Sequence, residues 1–268
     1  MTTSAAVFDE SISRWREEQG LPWQKLKYKL VQAHLAKYIG PGELHILDAG
    51  GGNGYESIPL AAQGHRVEQV DYSSEMLADA ARQAAAARVE DRVTLQQGDV
   101  REVARLFQPG QFDLVLCHNV IQYVEDAPAL LKDLAGLLRA GGLISIVSIN
   151  RYSVPYRTAL PRGDLAQALA QLDARRVKAF IFDASFNVYD AEEIKEMLSS
   201  AGCAAEQDFG IRCIAEYWGD NELKSDPAIF AQLEELEFAL AERYPYKLLA
   251  RYFQVIARKG QPAATGGE

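Results

Sequence analysis

The chain has 268 residues, of which 48% are hydrophobic and 24% charged, values typical of a globular protein with a sizeable core. No apolar run is long enough to span a bilayer, and the first ten residues lack the pattern of a secretory signal. The net charge of −9 disfavours non-specific binding to nucleic acid, because phosphate contacts require Lys and Arg. The sparse cysteines Cys117, Cys203 and Cys213 predict neither disulfides nor a metal site, and indicate buried thiols in a cytoplasmic protein.

Helical and strand patterns alternate along the first 150 residues. A helix is predicted from about Trp23 to Tyr38, ending at the glycine and proline residues of 40–42. The strands predicted next are 45–49, 67–70, 93–96, 112–117 and 143–148, and the helices between them are 56–63, 73–88 and 127–138. Apolar strands that alternate with helices predict a parallel sheet covered on both faces.

The pattern loosens after residue 150. In chain order, the sequence predicts a helix over 164–180, a helix over 191–201 capped by Asp190, a strand over 204–209, a helix over 227–243 and a strand over 251–258. Residues 261–268 are predicted to be a disordered tail. Because neither a repeat nor a low-complexity linker interrupts the rest, residues 1–260 are predicted to form one domain.

A glycine-rich loop, 50–54, follows the first predicted strand. Ligands of open parallel sheets bind beyond the carboxyl ends of the strands, and glycines let a ligand approach the backbone closely. The dinucleotide fingerprint needs GxGxxG, but Gly54 is followed by Tyr-Glu-Ser, so the third glycine is absent. Asp48 precedes the loop, and its carboxylate suits a positively charged cofactor better than a pyrophosphate. These features favour S-adenosylmethionine (SAM) over a nicotinamide or flavin dinucleotide.

Two further acids follow the second and third predicted strands. Asp71 is placed to accept both ribose hydroxyls of an adenosine, although an acid after a strand is also a common solvated cap. Asp99 can accept a hydrogen bond from an adenine amino group, with Val100 or Met76 against the ring. The alternative for Asp99 is an ordinary turn residue.

Three segments resemble the class I SAM-dependent methyltransferases. They are ILDAGGGNGYESIPLAAQGHRVEQVDYSSEMLADAA, QQGDV and FDLVLCHNVIQYVEDAPALLKDLAGLLRAGGLISI, which together cover about 44–149. They are similar to the glycine motif, acidic loop, adenine motif and post-strand-four motif of that family. The resemblance implies an α/β, Rossmann-like fold with a seven-stranded, mostly parallel sheet, helices on both faces and an antiparallel last strand. It also implies SAM as the cofactor.

A narrower resemblance, to the bacterial tRNA carboxymethoxyuridine carboxyl-methyltransferases, covers nearly the whole chain. It rests on FDESISRWREEQGLPWQKLKYKLVQAHL, CHNVIQYVEDAP, GIRCIAEYW and LEELEFALAERYPYKLLARYFQVIARK. It implies esterification of a carboxylate on a modified wobble uridine of tRNA. The chain departs from that family in Lys27, where the family has Arg, and in the scattered basic residues of 151–190. A methyltransferase for a small-molecule acid or other metabolite is therefore the alternative, and a SAM-binding module without turnover is a non-enzymatic one.

These arguments and resemblances define two sets of candidate residues. The candidate cofactor-binding residues are Lys27, Asp48, Gly50, Gly51, Gly52, Asp71, Tyr72, Met76, Asp99, Val100 and His118. The candidate acceptor-binding residues are Arg14, Tyr152, Arg212, Tyr217 and Arg251. Arginine can clamp a carboxylate or phosphate with its planar fork, and the alternative for each arginine is a surface ion pair. An N-terminal helical cap, 1–40, and insertions at 150–190 and 211–247 are expected on the acceptor side.

His118 is also the candidate general base, because it ends the fourth predicted strand at the carboxyl edge of the sheet. The sequence favours the alternative, in which His118 only lines the cofactor pocket. An ionised carboxylate acceptor needs no base at neutral pH, whereas a phenol or an amine does.

Overall fold

The computed structural model describes residues 19–178 and 185–261, and the predicted tail therefore lies almost entirely outside the described residues. The strands are β1 His45–Ala49, β2 Arg66–Asp71, β3 Val93–Gln97, β4 Phe112–His118, β5 Leu138–Ile149, β6 Arg176–Lys178, β7 Ser185–Asn187, β8 Cys203–Ile211 and β9 Tyr252–Lys259. The helices are α1 Pro22–Ala36, α2 Ser57–Ala62, α3 Ser74–Ala87, α4 Val103–Leu106, α5 Ala127–Leu137, α6 Ser153–Arg162, α7 Leu165–Ala170, α8 Ala191–Ser200, α9 Asn221–Ser225 and α10 Pro227–Leu240.

Seven strands form one sheet in the order β3-β2-β1-β4-β5-β9-β8, and β6 pairs with β7 in a separate two-stranded sheet. The strands from β3 to β5 are parallel, and β9 runs antiparallel to both β5 and β8. One apolar cluster packs α5 and α8 against the sheet, and a second packs α1 and α2 against it. The predicted Rossmann-like fold, with helices on both faces and an antiparallel last strand, is confirmed.

Side-chain caps explain where several helices begin. The Ser73 hydroxyl accepts a hydrogen bond from the Met76 amide at 3.3 Å, at the start of α3. Asp190 and Glu193 form a reciprocal capping box at the start of α8. The predicted N-cap Asp190 is confirmed, and both caps satisfy backbone donors that have no partner inside the helix.

The helix predicted over 164–180 is correct at its start and wrong beyond Ala170. Gly163 has a left-handed backbone (φ 67°) that ends α6, and the Asp164 side chain accepts from the Gln167 amide to begin α7. That second helix already ends at Ala170, and Val177 pairs with Phe186 in the antiparallel pair of β6 and β7. The aspartate N-cap thus confirms the predicted start, but the helix is shorter than predicted because the chain around Val177 pairs as a strand.

The strand order reverses between β1 and β4, so the loops that follow these two strands meet at the carboxyl edge of the sheet. They touch at Gly50 and Val120, because a Cβ atom built on Gly50 would lie 2.4 Å from Val120 Cγ2. Only glycine permits this approach, and its φ of 79° also favours glycine. The fold thus opens a cleft at the place predicted for the ligand.

The remaining composition-based expectations concern cysteines and membrane spans. Cys117, Cys203 and Cys213 are buried free thiols. Within 19–178 and 185–261, no helix has the length and apolar character needed to cross a membrane.

Candidate active site

A cavity of about 350 Å³ opens between α1 and the loops that follow β1, β2, β3 and β4. All the predicted cofactor residues line it: Lys27, Asp48, Gly50, Gly51, Gly52, Asp71, Tyr72, Met76, Asp99, Val100 and His118. The lining residues that the sequence reasoning missed are Tyr28, Asn53, Tyr55, Glu56, Ser73, Arg101, Asn119, Val120, Gln122, Tyr123 and Val124. Most of these are chain neighbours of predicted residues, so extending each motif by a few positions recovers them.

Asp48 forms the floor of the cavity beneath the glycine loop. Its Oδ2 atom is buried and has no hydrogen-bond partner among the described residues. A Cβ atom on Gly51 would lie 2.4 Å from that oxygen, so glycine is required beside it. Burial, followed by the charge of Glu56, raises the pKa of Asp48 to about 7. A positively charged ligand nearby favours the ionised form, which fits a sulfonium cofactor.

Asp71 holds the glycine loop against the end of β2. Its Oδ2 atom accepts from the Gly52 amide at 2.9 Å, and its Oδ1 atom accepts from the Ser73 amide at 2.9 Å. A carboxylate oxygen can accept more than one hydrogen bond. Asp71 is therefore compatible with the hydroxyls of a ribose while it continues to hold the loop.

Asp99 lies at the cavity edge and is paired with Arg101. Its Oδ1 atom accepts from the amide and from Nε of Arg101, each at 2.9 Å. The side-chain hydrogen bond from Arg101 lowers the pKa of Asp99, although burial acts in the opposite direction. Asp99 is thus both a turn residue, as the alternative held, and a wall of the cavity, where Val100 and Met76 also lie.

Lys27 brings a buried cation from α1 to the cavity. Its ammonium lies 4.2 Å from the ring centre of Tyr28 and 5.6 Å from that of Tyr252. Burial lowers the pKa of Lys27, but Tyr28, Tyr252 and Glu56 raise it more, so the net direction is upward. The Tyr28 ring also stacks on Tyr55 at 4.9 Å. The ammonium is therefore charged and held in place beside the cofactor cavity.

Both ring nitrogens of His118 are engaged by other side chains. Nδ1 is hydrogen-bonded to the Glu56 carboxylate, and Nε2 lies 2.8 Å from the Ser145 hydroxyl. The amide of Gln254 donates to the same hydroxyl at 3.0 Å, and its Oε1 lies 2.9 Å from Nδ1 of His34. A buried chain of hydrogen bonds thus runs from the cavity to α1. This arrangement favours a lining role for His118 over that of a general base.

Two of the predicted acceptor residues, Arg212 and Arg251, converge on one carboxylate. Arg212 Nη2 lies 2.6 Å from Glu216 Oε2, and Arg251 Nε lies 3.6 Å from Glu216 Oε1. Arg157, which the sequence reasoning missed, also pairs with Glu216. These four residues are called the arginine cluster below. Three guanidinium groups facing one carboxylate leave an excess of positive charge.

The arginine cluster adjoins the cavity through Tyr252, although none of its members lines the cavity. The Arg251 guanidinium lies 5.0 Å from the Tyr252 ring centre, and Lys27 approaches the same ring. Burial raises the pKa of Tyr252, but Arg251, Lys27 and Arg212 lower it more, so the net direction is downward. The phenol therefore lies in a strongly positive field between the cavity and the cluster.

The other predicted acceptor residues have different environments. The hydroxyl of Tyr217, next to Glu216 in the chain, donates to the Leu249 carbonyl at 2.5 Å. The hydroxyl of Tyr152 donates to Asp190 at 3.2 Å, which places it outside the arginine cluster. Arg14 lies outside the described residues.

Comparisons with known proteins agree with this geometry. The family described as "Methyltransferase domain" matches residues 47–146. The tRNA 5-carboxymethoxyuridine methyltransferase of Escherichia coli K12 is 30% identical over 91% of this chain and 88% of that protein. The chain belongs to the SAM-dependent methyltransferases. This methyltransferase is also 31% identical to the ubiquinone biosynthesis O-methyltransferase of Aeromonas salmonicida, over 58% of the chain and 64% of that protein.

Solved structures support the fold of this SAM-dependent methyltransferase. A possible histamine N-methyltransferase from Thermotoga maritima aligns with a TM-score of 0.63 at 17% identity, covering 96% of this chain and 100% of that one. A geranyl diphosphate methyltransferase in complex with sinefungin aligns with a TM-score of 0.53 at 18% identity, covering 82% and 74%. The enzyme uses SAM as its cofactor.

Proposed function

We propose that this methyltransferase transfers the SAM methyl group to a carboxylate, namely that of carboxymethoxyuridine at the wobble position of tRNA. The observation that carries the proposal is the arginine cluster, whose excess positive charge adjoins the cavity through Tyr252. Planar guanidinium groups recognise carboxylates and phosphates with directed hydrogen bonds. The relative from E. coli, similar over nearly the full length of both chains, supports the same acceptor.

We assign the cofactor contacts to residues that line the cavity. Asp71 accepts the ribose hydroxyls, Asp99 accepts from the adenine amino group, and Lys27 is the basic contact. Asp48 and Gly50–Gly52 face the positively charged part of the cofactor, with Tyr72, Met76, Val100 and His118 completing the wall. The described parts of the insertions at 150–190 and 211–247 form the acceptor side of a single domain.

Chemistry at this site depends on alignment more than on proton transfer. Bound SAM supplies a methyl group on a positively charged sulfur, which leaves as a neutral thioether. A carboxylate acceptor is already ionised at neutral pH, so no side chain has to remove a proton. Arg212 and Arg251 orient the acceptor carboxylate, and Tyr217 flanks it. His118 shapes the cavity and moves no proton.

A small-molecule carboxylic acid or other metabolite is the second candidate acceptor. The net charge of −9 favours it, because a large polyanion is repelled by an acidic protein unless a local basic face compensates. The ubiquinone biosynthesis relatives support a small acceptor, but they match shorter parts of the chain. A tRNA acceptor is consistent with a cytoplasmic location, as is the absence of disulfides among the cysteines.

The test is methyl transfer from labelled SAM to bulk tRNA that lacks the methyl ester, followed by nuclease digestion and mass analysis of the nucleosides. We expect the label on the ester of the wobble uridine. Arg212→Gln is expected to lower kcat/KM for tRNA at least tenfold with SAM affinity unchanged, and exposed Arg105→Gln is the matched control. Unlabelled tRNA with SAM binding intact would contradict the tRNA proposal and direct the search to small carboxylic acids.

A further inference from the structure

The α10 helix carries one carboxylate that is completely buried, that of Glu237. Its Oε2 atom accepts from the Cys213 amide at 2.6 Å. Its Oε1 atom accepts from the Ile214 and Ala215 amides at 2.8 and 2.7 Å. Three consecutive backbone donors therefore converge on one side chain. Successive N–H groups of this kind form a concave site for an anion, and here the chain fills the site with its own carboxylate.

The segment held by Glu237 joins two members of the arginine cluster. Arg212 immediately precedes the three amides, and Glu216 immediately follows them. Arg212 has a left-handed backbone (φ 62°), a conformation that a residue with a side chain keeps only when its surroundings enforce it. The Arg212 carbonyl accepts from the Arg251 amide at 3.1 Å, which holds the turn from the opposite side.

The guanidinium of Arg212 is correspondingly well fixed. Nη1 donates to the Gln24 side chain at 2.8 Å, and Nη2 pairs with Glu216. Its Nε atom is buried and has no hydrogen-bond partner among the described residues. Both Nη atoms are thus engaged, so the orientation of the guanidinium depends on Gln24, on Glu216 and on the turn that carries Arg212.

We propose that Glu237 is a positioning residue for the acceptor: by anchoring the turn of residues 212–216, its carboxylate orients the Arg212 guanidinium toward the acceptor anion. The proposal rests on the proposed function of the arginine cluster. Glu237 touches neither cofactor cavity nor acceptor, and acts through the backbone of the turn. A glutamine at this position has one oxygen instead of two, and its amide hydrogens face backbone donors, so it cannot hold all three amides.

The experiment compares Glu237→Gln with Glu235→Gln, a charge-matched change on the exposed side of the same helix. Calorimetry gives the Kd for SAM, and steady-state kinetics with tRNA bearing carboxymethoxyuridine give kcat and KM. For Glu237→Gln we expect the acceptor KM to rise at least tenfold while the Kd for SAM stays within about twofold of wild type. Glu235→Gln is expected to match wild type. An unchanged acceptor KM, or an equal rise in KM and Kd, would overturn the proposal.

A second readout separates this proposal from the choice of acceptor. Wild-type enzyme that fails to methylate tRNA contradicts the proposed function, and hydrogen exchange then tests the turn directly. The amides of 213–215 are expected to exchange at least tenfold faster in Glu237→Gln than in wild type, with β9 unchanged; equal rates overturn the proposal. If Glu237→Gln does not fold, native-state hydrogen exchange of the wild-type protein provides the test. Amides of 213–215 that open together with those of 237–240 support the anchoring role of Glu237, and amides that open separately refute it.

Discussion

Glu56 and His118, 62 residues apart in the chain, form a buried hydrogen-bonded pair in the wall of the cofactor cavity. Burial raises the pKa of Glu56, but His118 and Lys27 lower it more, so the carboxylate is held in its ionised form. The second ring nitrogen of His118 meets the Ser145 hydroxyl. The imidazole is therefore fixed on both sides by the protein, which leads to the first prediction.

Replacing His118 by asparagine is expected to leave the shape of the pH dependence of turnover unchanged, because His118 moves no proton. The free energy of unfolding is expected to fall by about 1–3 kcal/mol, since Glu56 loses its buried partner. Turnover at saturating substrate across the neutral pH range, together with denaturant unfolding, checks both expectations. Disappearance of an ionisation from the pH profile would restore His118 as the general base.

Removing the carboxylate of Asp71 is expected to weaken SAM binding at least tenfold. Asp71→Ala loses the proposed acceptors for the ribose hydroxyls and also releases the Gly52 and Ser73 amides. Calorimetric titration with SAM measures the change, with exposed Asp91→Ala as the control. Wild-type affinity in Asp71→Ala would remove Asp71 from the cofactor site.

The charge of Lys27 is expected to contribute to SAM affinity about as much as the carboxylate of Asp71 does. Lys27→Met keeps much of the apolar stem but removes the ammonium, and we expect the Kd for SAM to rise about tenfold or more. Lys25→Met, on the exposed side of α1, is the matched control. If both variants bind SAM equally well, the cation of α1 serves the acceptor side or the fold instead.

Buried His34 is expected to make stability depend on pH. Burial is the largest cause that lowers its pKa, from 6.5 to about 4, so the unfolded chain binds a proton that the folded chain excludes between these values. The free energy of unfolding is therefore unaffected by this histidine above about pH 6.5, and it falls as the pH drops from there toward 4. The loss amounts to at most about 3 kcal/mol. Denaturant unfolding of wild type and His34→Gln at about pH 7 and about pH 5 isolates it. Parallel losses in the two proteins would contradict this prediction.

The local parts of the fold were predictable because each depends on neighbouring residues. Residue type and sequence position alone indicate the glycine loop, the acid that ends β2 and the caps Ser73 and Asp190. The structure has each of them at the indicated place. The prediction of a helix over 164–180 is wrong beyond Ala170 because Val177 lies in a strand paired with β7. That pairing depends on residues farther along the chain.

The polar groups of the site depend on long-range contacts that no local pattern contains. Glu56 looks like an ordinary first-turn residue until the fold brings His118 to it. Arg157 looks like a surface cation of a helix, yet it joins Arg212 at one carboxylate. In the sequence, Glu237 belongs to an acidic helix face with Glu234 and Glu235, but in the structure it is completely buried. Burial and pairing of such charges follow from tertiary packing alone.

The contacts of α1 with β9 restrict which insertions and substitutions related sequences can accept in α1. Lys27 approaches Tyr252, and His34 meets Gln254, so one helix is matched to one strand at two points seven residues apart. Seven residues are close to two helical turns, and Tyr252 and Gln254 share one face of the strand. A single-residue insertion between Lys27 and His34 would rotate one contact by about 100° relative to the other. Insertions and deletions in related chains are therefore expected outside the interval from Lys27 to His34. Substitution of either residue is expected to accompany substitution of its partner on β9.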